Sequence, residues 1–423
     1  MTPAGILRIA MLSVHTCPLA VLGGKDTGGM NVYIRELSRE LGRMGVEVDI
    51  FTRSQNEAIP RVVDMADSVR VVHLAAGPEA PLPRERVHDH LDEFVDGIEG
   101  WRIARGIDYD LVHAHYWLSG VVGLTLRERW GVPMLQMFHT LGDLKNRVAR
   151  RPADLEPAVR LAEEARVIAT AERLVAASVA ERAYLVRHAG ADPERIAVVP
   201  CGVDTELFSP GDAASARAAL QLPGDPLILY VGRLAPIKGL ETLLDAIALS
   251  ARRGRPVRLL VVGGDADEPR DGHEAGLRAR ITSLGIGDLV SFAGPQRQES
   301  LRTHYVAADV TVLPSHYESF GMVALEAMAC GSPVVASRVG GLTTTVRDGV
   351  TGFLVPEGDV SALADRLETL LGDPDLRWRL GREGVRWAGQ HRWPCVAEAI
   401  CREYALLESR ARPHLAAGRC TEA

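Results

Sequence analysis

Two glutamates eight residues apart are the sharpest chemical feature of this sequence. Glu318 falls in a loop that follows an apolar run, and Glu326 falls inside the predicted helix that comes next. Carboxylates accept hydrogen bonds from sugar hydroxyls, and the backbone N–H groups at the helix start, those of Phe320, Gly321 and Met322, favour phosphate. The apolar residues around Glu326 predict a mostly buried helix, so two glutamates on a solvated helix face is the weaker interpretation.

Two cations follow the first strand of the second half of the chain, in Tyr230-Val-Gly-Arg233-Leu-Ala-Pro-Ile-Lys238. Arginine offers a planar fork and lysine a mobile point charge, so together they can neutralise a diphosphate without a metal ion. For either cation alone, an exposed side chain without a ligand is an equal alternative. The pair favours a site for a diphosphate leaving group.

A glycine-rich loop after the first strand offers a second anion site. Gly23-Gly-Lys-Asp-Thr-Gly28-Gly29-Met-Asn31 leads into an amphipathic helix. Paired glycines let the backbone approach a ligand closely, and the helix start favours a phosphate. The spacing matches neither the Walker loop nor G-x-G-x-x-G. A glycine-rich turn that binds nothing stays open as an alternative.

Three histidines end two neighbouring predicted strands. His113 and His115 share one face of a strand, and His139 follows the next strand, so the three could begin a metal site. No carboxylate lies beside them at ligand spacing, which favours hydrogen-bonding residues and, for His113, a satisfied core position. We therefore expect no metal. No G-x-S-x-G elbow is present, which argues against an acyl hydrolase.

Composition limits the function classes. The chain has 423 residues, of which 47% are hydrophobic, enough for two or three cored domains. Its formal charge of -7 gives no global positive field for nucleic acid or an anionic membrane. No apolar run is long enough to span a membrane, no secretion signal is visible, and the six cysteines are scattered. These features predict a cytoplasmic protein with reduced thiols.

Short apolar runs alternate with helical patterns, which is typical of parallel sheets covered by helices. The sequence predicts two doubly wound, Rossmann-like α/β domains over 1–201 and 226–392, joined by a linker over 202–225. A helix over 393–412, which we expect to cross back to the first domain, and a loose tail over 413–423 follow. The predicted strands are Ile6–Leu12, Val46–Ile50, Val69–Leu74, Leu111–His113, Met134–Met137, Arg173–Ala176, Ile196–Val199, Leu227–Val231, Arg258–Val262, Leu289–Phe292, Val310–Leu313 and Val334–Ser337.

From about Arg8 to Trp393 the sequence resembles the retaining glycosyltransferases of family 4, whose GT-B architecture has two such domains facing a cleft. Glu318 and Glu326 match the family's E-x7-E motif, and Gly28-Gly29 matches its N-terminal glycine loop. Gly232-Arg233 with Lys238 matches its diphosphate-binding pair. Four further patterns are similar to those of family enzymes that act on an inositol phosphate: His15-Thr-x-Pro-Leu, Gly-Gly-Met-Asn-Val-Tyr33, His113-x-His-Tyr-Trp-Leu-Ser-Gly120 and His139-Thr-Leu-x-x-x-Lys145-Asn146.

The resemblance implies roles for individual residues. Arg233 and Lys238, with the backbone of Gly28 and Gly29, would bind the diphosphate of a UDP-sugar, and Glu326 would hold its ribose. Glu318 and the amides of Phe320, Gly321 and Met322 would hold the sugar ring, with His139 beside it; His139, Arg233, Lys238 and Glu318 form the implied catalytic set. The implied acceptor contacts are Asn31, Arg84, Tyr116, Thr140 and Arg160. Arg84 departs from the lysine expected there.

The resemblance implies transfer of a hexosyl unit, N-acetylglucosamine or glucose, from a UDP-sugar to a hydroxyl of a small polar acceptor, with retention at the anomeric carbon. An inositol phosphate or related cyclitol is the first expectation for the acceptor. The segment from Phe138 to Gly142 is also similar to sucrose-phosphate synthases, and natural-product transferases or a UDP-sugar epimerase fit the same motifs. The expected partners are the small-molecule donor and acceptor and, as one option, a second copy of the chain.

Overall fold

The computed structural model describes residues 7–20, 27–222, 224–264 and 273–411. These residues form two compact units. Unit 1 is built from the described parts of 1–20, 29–200 and 393–423, and unit 2 mainly from those of 201–392. Residues 23–26 of the glycine loop and the tail predicted over 413–423 lie outside the described residues. The division into domains, linker and C-terminal helix inferred from the sequence stays a prediction.

The described residues of unit 1 contain an eight-stranded sheet in the order β3-β4-β2-β1-β5-β6-β7-β8. The central strands are buried on both faces because helices cover the sheet, so they are mainly apolar, with His113, His115 and Gln136 as buried polar exceptions. The strands are β1 Arg8–Leu12, β2 Glu47–Arg53, β3 Val62–Ala66, β4 Val69–Leu74, β5 Leu111–His115, β6 Met134–Met137, β7 Arg173–Ala176 and β8 Ile196–Val198.

The edge strand β3 corrects the expectation of a purely parallel sheet. It runs antiparallel to β4, to which a two-residue turn at Asp67-Ser68 connects it. Ser68, the second turn residue, has φ +59°, in the left-handed region that favours glycine. The turn lacks the glycine that usually marks this geometry, and β3 is only half-buried, so its residues give no strong strand pattern.

Helices follow most strands of unit 1. The amphipathic helix predicted after the glycine loop is α1, which packs on the sheet through Ile34, Leu37 and Leu41, whereas Met44 lies beyond the helix end and is exposed. The helices in this stretch are α1 Gly29–Arg43, α2 Arg84–Val87, α3 Leu91–Arg105, α4 Tyr116–Trp130, α5 Gly142–Arg147, α6 Ala158–Thr170 and α7 Val179–Arg187.

The described residues of unit 2 contain a six-stranded, all-parallel sheet in the order β11-β10-β9-β12-β13-β14. Its strands are β9 Leu227–Val231, β10 Arg258–Val262, β11 Val290–Gly294, β12 Val310–Leu313, β13 Val334–Ser337 and β14 Gly352–Val355. The last of these was not predicted. The helices are α8 Ala213–Ala219, α9 Leu240–Arg252, α10 His273–Leu284, α11 Gln298–Ala307, α12 Met322–Ala329, α13 Leu342–Thr345, α14 Val360–Gly372 and α15 Pro374–Ala388.

A final helix, α16 Trp393–Ala411, belongs to unit 1. Trp393 meets the ring of Tyr33 on α1 edge-on, and Tyr404 is fully buried. The helix therefore contributes core side chains to unit 1, although it comes after unit 2 in the chain. None of the helices that the structure describes combines the length and apolar character of a membrane span.

Strand order reverses between β1 and β5 in unit 1, and between β9 and β12 in unit 2. In open parallel sheets ligands bind beyond the carboxyl ends of the strands at such reversals. The sequence motifs fall at these positions: His139 comes after β6 beside the first reversal, Lys238 after β9 and Glu318 after β12. The sheet topology therefore gives each unit one edge at which its candidate residues can gather.

We predict that Gly42→Ala destabilises unit 1. Although alanine favours a helix over glycine, a Cβ at Gly42 would lie 2.4 Å from the carbonyl oxygen of Asp67 and 2.7 Å from a methyl group of Val69. The collision should lower the free energy of unfolding by about 1–3 kcal/mol. Urea unfolding followed by tryptophan fluorescence measures this change.

Gly100→Ala is the matched control, because Gly100 lies in α3 and nothing comes within 4 Å of where its Cβ would be. That substitution should raise stability by up to about 1 kcal/mol through helix propensity alone. Equal effects of the two substitutions would contradict the packing of α1 against the β3–β4 turn.

Candidate active site

An ion pair joins the loops after β9 and β12 in unit 2. Lys238 Nζ lies 2.5 Å from Glu318 Oε2, and both side chains are partly exposed. A backbone hydrogen bond from His316 N to Ile237 O, 2.9 Å, links the same two loops. The ammonium of Lys238 and the carboxylate of Glu318 are thus held together at the edge where the strand order reverses.

Arg233 begins the same loop after β9. Tyr230 Oη donates a hydrogen bond of 2.8 Å to the carbonyl oxygen of Arg233, which fixes the backbone where the strand ends. Burial raises the pKa of Tyr230, while the nearby Arg233 lowers it and Glu318 raises it. Arg233 and Glu318 therefore both lie within electrostatic range of one buried phenol, and the Arg233 side chain is exposed.

The loop that carries Glu318 is held by a close backbone approach. Gly340 has φ +43°, and a Cβ there would lie 2.1 Å from the carbonyl oxygen of Glu318, so a glycine is required. Gly341 N donates to that same oxygen at 2.8 Å, and Thr345 Oγ1 donates to Phe320 O at 2.7 Å. These contacts fix the backbone between Glu318 and the start of α12.

Gly321 is the N-cap of α12, with φ +93° and no side-chain cap, and Met322 is the first helical residue. The first N–H groups of a helix have no partner within it, so this start can receive an anion. Glu326 is buried within α12 and accepts a hydrogen bond of 2.7 Å from Tyr305 Oη. Burial raises the pKa of Glu326 to about 7, against the opposing effect of hydrogen bonds from Tyr305 and Gln298.

Four of the predicted acceptor residues gather in unit 1. Arg84 Nη1 donates to Tyr116 Oη at 3.0 Å, and the guanidinium of Arg160 lies over the Tyr116 ring at 4.8 Å. Arg160 Nη2 also donates to Thr140 O at 2.8 Å and to Thr140 Oγ1 at 3.2 Å. The two guanidinium groups thus lie on one tyrosine, which places two positive charges in a small volume.

The two arginines differ in their surroundings. Arg160 is fully buried and is paired with Glu156 at 2.8 Å and Glu164 at 2.7 Å. Arg84 is only partly buried. Because two carboxylates already compensate Arg160, its main effect in this arrangement is to hold Thr140, and Arg84 is the more accessible cation.

Asn31, the fifth predicted acceptor residue, is buried at the start of α1. Its amide nitrogen donates to Thr16 Oγ1 at 2.7 Å and to Cys17 O at 2.8 Å. His15, beside Thr16, stacks on Tyr116 with ring centroids 4.4 Å apart. Asn31 is therefore connected through the loop after β1 to the arginine and tyrosine cluster.

His15 belongs to this cluster but was not among the predicted site residues. Burial lowers its pKa to about 3, helped by the charges of Arg84 and Arg160. Its Nδ1 atom is buried without a hydrogen-bond partner in the described residues. The sequence did contain a signal, since His15 opens the loop after β1, but a histidine in a loop does not reveal what it stacks on.

His139 follows β6 in a left-handed backbone conformation, φ +60°, and Tyr116 has φ +75°. Such values are uncommon for residues other than glycine and persist where the surroundings enforce them. His139 Nε2 lies 3.0 Å from His115 Nδ1. His113, by contrast, is a core residue whose Nδ1 lies 2.7 Å from Tyr404 Oη.

The remaining predicted groups are the glycines and a metal site. Gly29 is the exposed first residue of α1, and among the described residues nothing lies within 4 Å of where a Gly28 Cβ would be. Within the described ranges, no three His, Cys, Asp or Glu side chains are arranged to hold a metal ion.

Comparisons with known proteins give the family. The family model described as Glycosyltransferase Family 4 matches residues 27–207, and the one described as Glycosyl transferases group 1 matches residues 212–387. D-inositol 3-phosphate glycosyltransferases of Acidothermus cellulolyticus and Streptomyces scabiei are each 44% identical to this chain. The alignments cover 95% and 94% of this chain and 91% and 90% of those relatives. The chain belongs to glycosyltransferase family 4.

Solved structures agree with this assignment of a family 4 glycosyltransferase. A sucrose-phosphate synthase from Thermosynechococcus elongatus matches with a TM-score of 0.88 and 37% identity, over 96% of this chain and 100% of that one. HepE of Anabaena in complex with UDP-glucose matches with a TM-score of 0.73 and 22% identity, over 94% and 99% of the two chains. The second likeness shows the fold alone. The predicted GT-B class of two α/β units is confirmed.

We predict that Glu326 makes the stability of this glycosyltransferase fall as pH rises from about 4.5 to about 7. The folded protein keeps the Glu326 proton up to about pH 7, whereas the ordinary pKa of the side chain is 4.5. Between these values the folded state binds more protons than the unfolded state, so unfolding becomes easier with rising pH. The effect should be on the order of 3 kcal/mol over the window.

Urea unfolding at pH 4.5, 6 and 7.5 measures this slope. Glu326→Gln cannot titrate and should lose this part of the pH dependence. Glu299→Gln, at an exposed position on α11 in the same unit, is the control and should keep it. An unchanged slope in Glu326→Gln would show that Glu326 ionises normally in the folded state.

Proposed function

We propose that this glycosyltransferase transfers a hexosyl unit from a UDP-sugar to a hydroxyl of a phosphate-bearing polyol, with retention at the anomeric carbon. An inositol phosphate is the first candidate for the acceptor, and UDP-N-acetylglucosamine and UDP-glucose are the candidate donors. One observation carries the proposal: Arg84, Tyr116, Thr140 and Arg160 gather in unit 1. The relatives at 44% identity, named for glycosylation of D-inositol 3-phosphate, agree with it.

The donor site that we propose lies in unit 2. Lys238 and Arg233 would neutralise the diphosphate, with the backbone N–H groups at the start of α12 as further donors. Glu326 would accept hydrogen bonds from the ribose hydroxyls. The uridine nucleotide is taken from the family resemblance.

The ion pair of Lys238 with Glu318 suits a site that binds a diphosphate and a sugar. The two charges compensate each other at 2.5 Å. When a diphosphate binds, Lys238 can turn to it, because the lysine side chain is long and flexible. Glu318 is then released to accept hydrogen bonds from the hexose hydroxyls.

The acceptor site that we propose lies in unit 1. Charge-assisted hydrogen bonds from arginine are strong recognition contacts for phosphate, and the exposed part of Arg84 offers them. Thr140, held by Arg160, adds a hydroxyl, and Tyr116 adds the phenol to which Arg84 donates. Asn31 and the loop after β1 would contact the polyol ring.

Catalysis in this proposal rests on charge stabilisation. As the glycosidic bond breaks, negative charge grows on the β-phosphate of the donor, where Arg233 and Lys238 can meet it. The family resemblance implies an oxocarbenium-like transition state in which the leaving phosphate takes the acceptor proton. His139 would contact the transferred hexose. Because two protein cations supply the countercharge, we expect no requirement for a divalent metal.

A second acceptor, fructose 6-phosphate, is favoured by the likeness to sucrose-phosphate synthase at 37% identity. Both acceptors are phosphorylated polyols, so the arginine cluster suits either. A panel of UDP-sugars tested against inositol 3-phosphate, fructose 6-phosphate and unphosphorylated cyclitols, with mass detection of product, decides between them. NMR of the product gives the anomeric configuration.

Transfer to an inositol phosphate with retention would support the first choice, and transfer to fructose 6-phosphate the second. Transfer only to unphosphorylated acceptors would overturn the acceptor assignment. An isomerised sugar formed from the donor alone would mean an epimerase instead of a transferase acting on these acceptors.

We predict that Lys238→Ala lowers kcat/KM by about a hundredfold, on the order of 3 kcal/mol of transition-state stabilisation. The loss of a cation beside the growing phosphate charge is the cause. The double variant Lys238→Ala/Glu318→Gln also removes the charge of Glu318. It therefore separates the loss of the Lys238 cation from the effect of leaving Glu318 without its partner. Arg258→Ala, which removes an exposed ion pair with Asp225 in the same unit, is the control. Parental turnover by Lys238→Ala would refute the role.

We predict that Arg84→Ala raises the KM for a phosphorylated acceptor at least about tenfold, since it removes a charged hydrogen bond. The KM for an unphosphorylated cyclitol should change little. The KM of Arg84→Lys for the phosphorylated acceptor should lie between those of the parent protein and Arg84→Ala, because lysine keeps the charge without the planar fork. Arg86→Ala, at an exposed position on the same helix, is the control. Equal changes for both kinds of acceptor would place the phosphate elsewhere.

A further inference from the structure

A pair of imidazole rings lies beside the proposed acceptor cluster, and only one of them has a proposed role. His115 Nδ1 is 3.0 Å from His139 Nε2, and the ring centroids are 5.1 Å apart. Tyr33 packs edge-on against both rings, with centroids 5.8 Å and 5.2 Å away. The contact has hydrogen-bond geometry, so one of the two nitrogens carries a proton and the other does not.

Both rings are neutral at physiological pH. Burial lowers the pKa of His139 to about 3 and that of His115 well below its usual range. A neutral imidazole has one N–H group and one bare nitrogen. The contact therefore allows two arrangements: either His115 donates from Nδ1, or His139 donates from Nε2.

The surroundings of His115 distinguish the two arrangements. Its other ring nitrogen, Nε2, is buried and has no hydrogen-bond partner in the described residues. If His139 donated, the only proton of His115 would sit on Nε2, where it would be a buried N–H without an acceptor. Buried N–H groups without acceptors are rare in proteins, because such a group has lost its hydrogen bond to water and gained none.

We propose that His115 donates its Nδ1 proton to His139 Nε2 and thereby fixes the tautomer of His139. His139 then carries its single proton on Nδ1. This inference rests on the proposed function for its consequence, because His139 is there the residue that contacts the transferred hexose. His115 is a positioning residue that acts through His139.

The proposed tautomer determines whether His139 presents a hydrogen-bond donor or an acceptor to a ligand. His139 is only partly buried, and Nδ1 is the ring nitrogen that His115 leaves for a ligand. With its proton on Nδ1, His139 presents a hydrogen-bond donor to the hexose and offers it no acceptor nitrogen. It can therefore pair with a sugar oxygen acting as an acceptor. An imidazole free in water prefers its proton on Nε2, so without His115 the preference of His139 should reverse.

The backbone geometry is consistent with a ring held in one orientation. His139 has φ +60°, a backbone conformation that is uncommon for residues other than glycine. Tyr33 closes one side of the ring, and Trp393 of α16 packs against Tyr33 in turn, with centroids 5.6 Å apart. Rotation of the His139 ring would break both the hydrogen bond to His115 and the edge contact with Tyr33.

NMR of the full-length protein labelled with 15N-histidine tests the proposal directly, because ring nitrogen shifts and long-range couplings distinguish the two tautomers. His139→Gln identifies the His139 signals by their loss. We expect His139 to carry its proton on Nδ1 in the parent protein. A His139 proton on Nε2 in the parent protein would overturn the proposal without recourse to any variant.

Three variants test the role of His115. His115→Phe should shift His139 toward the Nε2 tautomer and lower kcat about tenfold, the equivalent of one hydrogen bond. His115→Asn places an amide N–H near the position of Nδ1, so it should restore both the Nδ1 tautomer of His139 and the parental kcat. His113→Phe is the matched control, since it removes a neighbouring buried imidazole that bonds to Tyr404 instead, and the tautomer of His139 should not change.

The tautomer and the activity are separate readouts. If no sugar transfer is found but His139 carries its proton on Nδ1, the proposed function fails and the proton arrangement stands. If transfer is found and His115→Phe leaves the His139 tautomer unchanged, the positioning role fails and the proposed function stands.

Discussion

The pairing of β9 with β12 is the constraint on which the proposed donor site of this glycosyltransferase depends. The two strands are separated by almost eighty residues of chain, yet they pair directly where the sheet order reverses. Their carboxyl ends therefore deliver Lys238 and Glu318 to the same place, and the ion pair between them follows. A different strand order would leave the same motifs in the sequence without bringing these charges together.

The two units use charge in different ways. In unit 2 Lys238 and Glu318 are partly exposed, so water screens the pair and either partner can exchange it for a ligand. In unit 1 Arg160 is completely buried between Glu156 and Glu164, and separating such a charge from its partners costs several kcal/mol. The first arrangement is suited to exchange and the second to rigidity, which agrees with a holding role for Arg160 toward Thr140.

The periodicity of the sequence was sufficient to predict most of the strands, because buried parallel strands are mainly apolar. The bounds of β4, β6, β7, β9, β10, β12 and β13 agree with the predicted ones. Two strands escaped prediction for physical reasons. β3 is a half-buried edge strand whose apolar run is interrupted by Asp64, and β14 is a four-residue strand that begins with Gly352, a residue type that is depleted in strands.

The motifs predicted which residues belong to the candidate site, but they did not predict which of those side chains contact one another. Arg84, Thr140 and Arg160 were named from a resemblance, whereas their meeting on Tyr116 depends on tertiary structure. The left-handed backbone at His139 and Tyr116 leaves no mark in the sequence, since neither residue is a glycine. The same holds for the contact between His115 and His139, which residue spacing alone suggested as the start of a metal site.

The ion pair at Lys238 has a practical consequence, because this chain contains only three lysines among its 48 basic residues. One of them, Lys145, is paired with Glu156 near the acceptor cluster, and Lys25 lies in the glycine loop. Primary amines are therefore concentrated in the motifs of this enzyme and are absent from the rest of its side chains. Amine-selective acylation followed by peptide mass mapping would report occupancy of the proposed donor site at one residue, with little background from other positions.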